Sequence, residues 1–278
     1  MPSLPYISGC GGASRSGRLL TPIGLADLDA LIGGGMSVGD LCLVGHPDGS
    51  AFVRHLREAY AKEGTSYGHG LYHAQALQSC SIKCTVFAAG ENALAGQYFR
   101  CFSPSAGTPG DDDRFSSLLE DLGRVLSEEP FSMASGGRKN VLRVLVDDLG
   151  SMVWCSPDKL AGYIARLRAQ LRHSYACGLL MTPFSSSKAL KDAAYFCDVL
   201  LAVDEFNGSS LTVNPCFSNY DGILKIQKLS SSNQVAQSFA PFLNYGFKKK
   251  KGRISIEPLH MPPTLDDSGL GCQAFLNF

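Results

Sequence analysis

Thr21-Pro-Ile-Gly-Leu-Ala-Asp-Leu-Asp-Ala-Leu-Ile-Gly-Gly-Gly-Met-Ser-Val-Gly-Asp-Leu-Cys-Leu-Val-Gly45 decides the fold through what it leads into. A Leu-Asp-x-Leu segment runs into three glycines, Gly33 to Gly35, and then into the apolar strand Leu41–Gly45. Such a strand delivers a phosphate-binding loop when it continues as G-x-x-x-x-G-K-[ST]. Backbone N–H groups then cradle phosphate, the lysine reaches the β- and γ-phosphates, and the hydroxyl binds Mg²⁺. Here the continuation is Gly45-His-Pro-Asp-Gly-Ser-Ala-Phe52. Counting from Gly45 puts Ser50, Ala51 and Phe52 where Gly, Lys and Ser/Thr belong. Shifting back by one residue keeps Gly49 but puts Ser50 and Ala51 at the lysine and hydroxyl positions. Neither frame holds a lysine. The stretch reads as a nucleotide-binding scaffold without its phosphate and magnesium grips, which points to assembly or binding rather than chemistry.

The pattern G-x-x-x-LD-x-L-x-GGG-x-x-x-G before an apolar strand resembles the approach to that loop in RecA-like ATPases, and the rest of the chain suits such a fold. Ala51–Lys62 carries Phe52, Leu56 and Ala59 at helical spacing. Cys84–Ala89 and Val141–Asp147 read as buried strands, as do Gly178–Thr182 and Asp198–Val203. Between them, Phe115 to Leu126 forms an amphipathic helix. Ser156-Pro157-Asp158 starts another, which buries Leu160, Ile164, Leu167 and Leu171; Lys188–Phe196 is a short third. Near-continuous apolar strands alternating with helices predict a parallel sheet covered on both faces. Leu211–Val213, Gly222–Leu229 and Arg253–Glu257 predict an antiparallel extension of that sheet. The expected fold class is α/β, a RecA-like three-layer fold with a mostly parallel central sheet extended by antiparallel C-terminal strands. Its expected limits are a flexible N-terminal arm over 1–18, one domain over 19–263 and a tail over 264–278. Residues 103–113 and 132–140 read as loops.

The 278 residues are 45% hydrophobic, enough for a large core, and carry 25 basic and 25 acidic side chains. No global field then draws the chain to nucleic acid or membrane, so any such affinity must be local. No apolar run nears the ~20 residues that span a bilayer, and the first residues lack the pattern of a signal peptide. The ten cysteines are scattered. Cys80 and Cys84 have no second pair beside them, so they read as free thiols and not as a zinc site. These features predict a soluble chain in a reducing compartment, with neither a metal nor a membrane partner.

Asp147-Asp148, after an apolar strand, stands where a carboxylate organises Mg²⁺ and water, although aspartate at a strand end also simply opens a turn. Glu91, after Gly90, occupies the usual place of a water-activating glutamate. Both face the crevice at the carboxyl ends of the strands and are the candidates for cofactor contact. They sustain an alternative in which ATP is hydrolysed at subunit interfaces. Two basic features suit phosphate backbones: Arg168 and Arg172, one helical turn apart, and Lys248, Lys249, Lys250, Lys251 with Arg253, flanked by Tyr245 and Phe247. A solvated helix face and a solvated turn are their plain alternatives.

The C-terminal half carries a more specific resemblance. Ser218-Asn-Tyr-Asp-Gly-Ile-Leu-Lys-Ile-Gln-Lys-Leu229 is similar to a "YDGLxxIxKL" strand. Phe247-Lys-Lys-Lys-Lys-Gly-Arg-Ile-Ser-Ile-Glu-Pro-Leu-His-Met-Pro-Pro263 is similar to "FKxKRxxFxIExLHLPP", and Leu149-Gly-Ser-Met-Val-Trp154 to "LGSxxW". With the glycine-rich lead-in, these blocks resemble, in order, the Elongator complex protein 4 family. The resemblance implies a RecA-like subunit without a working phosphate loop and with no catalytic residue of its own. It also implies assembly with two related RecA-like Elongator subunits into a ring of six, attachment to the catalytic Elongator subcomplex, and contact with tRNA during wobble-uridine modification. The location implied is the cytoplasm and also the nucleus. ATP belongs, if anywhere, at the ring's interfaces.

Overall fold

Four of the apolar runs become the centre of one sheet, which has nine strands among the described residues. Leu41–His46 (β3), Leu142–Val146 (β6), Ala176–Pro183 (β7) and Val199–Glu205 (β8) lie in the order β8-β3-β7-β6, all parallel. The computed structural model describes residues 6–11, 19–75, 99–102, 114–149, 154–183, 188–206, 217, 219–230, 244–250 and 252–259. The expected strand Cys84–Ala89, Cys80, Glu91, the 103–113 loop, Leu211–Val213, Lys251, the 264–278 tail and most of the 1–18 arm lie outside them.

Beyond β6 the sheet continues in parallel through Gly70–Ala74 (β4) to Phe99–Phe102 (β5). Beyond β8 it turns antiparallel through Gly222–Lys228 (β9), Asn244–Lys250 (β10) and Arg253–Pro258 (β11). A separate small ribbon pairs Leu20–Thr21 (β1) with Met36–Ser37 (β2). β4 and β10 escape the sequence reading. His73 breaks the apolar run of β4, and three of the seven residues of β10 are lysine, so neither matches a buried-strand pattern.

Helices cover both faces. Ala26–Leu31 (α1) and Ala51–Ser66 (α2) lie over one core. Arg114–Leu126 (α3), Pro157–Arg172 (α4) and Lys188–Tyr195 (α5) lie over the other. α2 starts where Ser50 accepts a hydrogen bond from Val53 N and buries Phe52, Leu56 and Tyr60 at four-residue spacing. Each such side chain contributes about 1.5–3 kcal/mol on burial. α4 starts with Pro157 in its first turn and buries the four apolar residues expected. The 132–140 insert closes on itself, because Lys139 Nζ donates to the Ser132 carbonyl at 2.9 Å and to Ser135 Oγ at 2.7 Å.

A charge lies in the middle of this apolar architecture. Arg143 of β6 is fully buried. Its Nη2 donates to Thr21 Oγ1 and to the Pro22 carbonyl, both at 2.8 Å; Nη1 donates to the Tyr60 carbonyl and Nε to His69 Nδ1, both at 3.2 Å. Its guanidinium also sits 4.8 Å from the Tyr60 ring centre. Arg143 thus ties the glycine-rich lead-in to the sheet. His69 passes the tie onward: Nε2 bonds the Ser8 carbonyl at 2.7 Å, leaving Nδ1 to accept from arginine. Of the 1–18 segment, residues 6–11 lie against the body, with Ile7 buried and Gly11 bridged to Leu20.

Candidate functional site

The degenerate loop lies where the fold would place a phosphate cradle. Gly45 is held between Thr182 of β7 and Ala202 of β8, and the chain turns through Pro47-Asp48-Gly49-Ser50 into α2. Gly49 takes a φ of 72°, a left-handed conformation that glycine adopts without strain. The first N–H groups of a helix lack internal partners and favour an anion. Here the anion is the chain's own. Glu205, the last residue of β8, accepts from Ser50 Oγ at 2.8 Å and from Phe52 N at 2.7 Å through Oε1, and from Ala51 N at 3.2 Å through Oε2. With Val53 N on Ser50 Oγ, the amino end of α2 is satisfied internally.

Asp147 is likewise engaged. Its Oδ2 accepts from His73 Nε2 at 2.8 Å and from Arg57 Nη1 at 3.1 Å, and its carbonyl accepts from Trp154 Nε1 at 3.0 Å. Burial alone would raise its carboxyl; the hydrogen bonds and charges of His73 and Arg57 outweigh that and hold it below the usual range. The adjacent Asp148 is exposed, with a φ of 53°. Partial desolvation, then repulsion from Asp147, raises its carboxyl. Asp147, Asp148 and Arg57, with His46, Ser50 and Arg54, line a crevice of about 180 Å³ at the carboxyl ends of the strands.

The basic candidates separate. Arg168 and Arg172 converge on the buried Asp198 at the opposite end of the sheet. Arg168 Nη2 and Arg172 Nη2 reach Asp198 Oδ1 at 2.6 and 2.7 Å, while Leu41 N donates to Oδ2 at 3.1 Å. They brace α4 against the starts of β3 and β8. The lysine run lies at the crevice end, on the β10–β11 hairpin. Lys250 pairs with Arg253 across the strands, and Gly252 turns with a φ of 78°. Lys248 is engaged: Nζ lies 3.3 Å from Glu257 Oε2 and 4.6 Å from the Tyr220 ring centre. Lys249, Lys250 and Arg253 are exposed. Lys249 N donates to Asp221 Oδ2 at 2.5 Å, and Lys249 lines a second cavity, of about 240 Å³, with Ala51, Phe52, Glu205, Asp221 and Phe247.

Sequence reasoning passed over Glu205, Arg57 and His73. Each acts through a partner far along the chain, 155, 90 and 74 residues away respectively. No local spacing announces such pairs.

The sequence profile of the family described as "PAXNEB protein" matches residues 75–274. Among curated relatives, "Elongator complex protein 4" of Danio rerio is 24% identical, over 95% of this chain and 87% of its own. The Homo sapiens protein of the same name is 22% identical, over 96% and 82%. That of Drosophila melanogaster is 26% identical, over 56% and 37%.

Proposed function

The chain belongs to the PAXNEB family, and on that premise we propose that it is a non-catalytic, RecA-like subunit of the Elongator complex. It assembles with two related RecA-like subunits into a hetero-hexameric accessory ring that joins the catalytic subcomplex. There it supports wobble-uridine modification by binding and releasing tRNA. The name shared by relatives covered over 87% and 82% of their length supports the Elongator assignment. One observation carries the non-catalytic reading: the backbone donors that would receive a phosphate in an ATPase of this fold already hold Glu205. Neither a lysine nor a threonine stands at Ala51 or Phe52 to reverse this. Phosphate contact belongs to the exposed cations Lys249, Lys250 and Arg253 of the hairpin, with Lys251 between them in sequence. Arg168 and Arg172 are less suited, since both guanidinium groups are committed to Asp198.

The test is reconstitution. Native mass spectrometry of the chain mixed with the two related subunits should show a mixed hexamer, and the chain alone should neither bind ATP at micromolar concentration nor hydrolyse it. A monomer indifferent to the partners would overturn the assembly, and micromolar ATP binding by the isolated chain would overturn the non-catalytic reading.

A further inference from the structure

We propose that Glu205 is an autoinhibitory latch: a tethered carboxylate that stands in for a phosphoryl group and keeps phosphate-bearing ligands out of the loop–helix junction. The inference rests on the non-catalytic reading above and names the residue that enforces it. Three features support it. The carboxylate takes the Ser50 hydroxyl and the N–H groups of Ala51 and Phe52, the donor set that a loop of this shape offers to phosphate. A cavity of about 240 Å³ opens beside these donors, lined by Glu205, Asp221 and Lys249 among others. At ~30 Å³ per water this is room for a ligand larger than one solvent molecule. Finally, Asp147, the carboxylate an ATPase would offer to Mg²⁺, is already engaged by an ion pair with Arg57 and a hydrogen bond with His73. Both charges that a magnesium nucleotide would bring are supplied from within, the negative one by Glu205 and the positive one by Arg57.

Tethering explains why a carboxylate suffices. A group fixed at the end of β8 competes at an effective concentration above the millimolar range of a flexible link, so free phosphate at ordinary concentrations loses. Removing the carboxylate leaves three donors and the positive end of α2 without an anion. Inorganic phosphate or pyrophosphate then becomes the best available partner. Because Arg57 remains on Asp147, that binding is independent of Mg²⁺.

The experiment measures the melting temperature of the full chain and of Glu205→Ala against inorganic phosphate and pyrophosphate, with chloride at matched ionic strength as control. Glu205→Gln, which keeps the shape and one acceptor, is the second variant in case the alanine variant folds poorly. Both variants should show a saturable, Mg²⁺-independent rise in melting temperature in millimolar phosphate, at concentrations at least about tenfold below any that affect the parent chain. If neither variant responds beyond chloride while the parent also stays silent, the latch is overturned and the non-catalytic reading stands. A saturable response of the parent chain that persists when Lys249, Lys250 and Arg253 are replaced by alanine overturns both.

Discussion

The amino end of α2 and the β10–β11 hairpin lie at the same end of the sheet and treat charge in opposite ways. At α2, Glu205 meets a hydroxyl and two N–H groups, and beside it Asp147 meets Arg57 and His73. At the hairpin, Lys248 is held by Glu257 and Tyr220, while the described residues Lys249, Lys250 and Arg253 extend into solvent. The difference follows from desolvation. A charge taken out of water needs partners of fixed geometry, whereas a solvated lysine needs none and keeps its field for whatever approaches. Closed charge reads as architecture and open charge as a contact surface, so predictions that break one should leave the other untouched.

The largest effect is expected where charge is most enclosed. Arg143→Met should cost at least about 3 kcal/mol in urea denaturation. It strands the acceptors Thr21 Oγ1, Tyr60 O, Pro22 O and His69 Nδ1, at about 1–3 kcal/mol for each one left unsatisfied. Arg143→Lys should recover little, since an ammonium cannot reach four acceptors spread around a planar fork. A neutral or stabilised methionine variant would show that the buried charge is tolerated and not needed, as some buried ion pairs are.

Titration of the groups beside Arg143 comes next. Burial, helped by the Arg143 charge, lowers His69 from 6.5 to about 4. The unfolded chain protonates this histidine near 6.5 and the folded chain only near 4, so its contribution is complete above 6.5 and is lost as pH falls toward 4. The loss is about 3 kcal/mol at 1.36 kcal/mol per unit. Asp29 runs the other way. Burial lifts it from 3.8 to about 6, against the N–H bonds of Ile23 and Gly24. Its contribution is complete below 3.8 and is lost, by about 3 kcal/mol, as pH rises through 6. The two nearly cancel between pH 4 and 6. His69→Gln should therefore gain stability as pH falls through that window, and Asp29→Asn should lose it. Urea midpoints across the range check both signs, and two variants that both track the parent would refute the pair.

These enclosed sites show where sequence reading stops. The central strands β3, β6, β7 and β8 and the helices α3 and α4 were legible because burial on both sheet faces, or along one helix stripe, forces an apolar pattern. The empty lysine position of the Gly45–Phe52 loop was legible for a similar reason, since the motif it departs from is local. Glu205, Arg57 and His73 were not. Their roles come from strand order, which brings the end of β8 to the start of α2 and sets β4 beside β6. The lysine run was visible as charge, but its division into a braced Lys248 and an open tip depends on the β10–β11 register.

Within the hairpin the comparison narrows to single residues. Lys248→Ala removes an exposed ion pair and a ring contact, each worth up to about 1 kcal/mol. A loss between about 0.5 and 1 kcal/mol is expected, well below that of Arg143→Met. A larger loss would place Lys248 with the enclosed charges.

The smallest expected effect on stability carries the largest on RNA binding. Replacing Lys249, Lys250 and Arg253 together by alanine should change stability by less than about 0.5 kcal/mol, because exposed side chains without fixed partners contribute little to folding. If the tip meets tRNA phosphates in the assembled ring, the same variant should weaken tRNA binding and flatten the salt dependence. The slope of log affinity against log salt should fall by ~0.7–0.9 for each phosphate no longer neutralised, similarly for unrelated tRNA sequences, since phosphate contacts position without specifying. Filter binding at several salt concentrations, with native mass spectrometry to confirm that the variant ring assembles, reads both quantities. An unchanged slope in an intact ring would remove the hairpin from the interface. The next candidates would then be Arg168 and Arg172, which would have to give up Asp198 to reach RNA. That exchange has its own mark, because releasing Asp198 from its two arginines frees a carboxyl they now hold below its usual range.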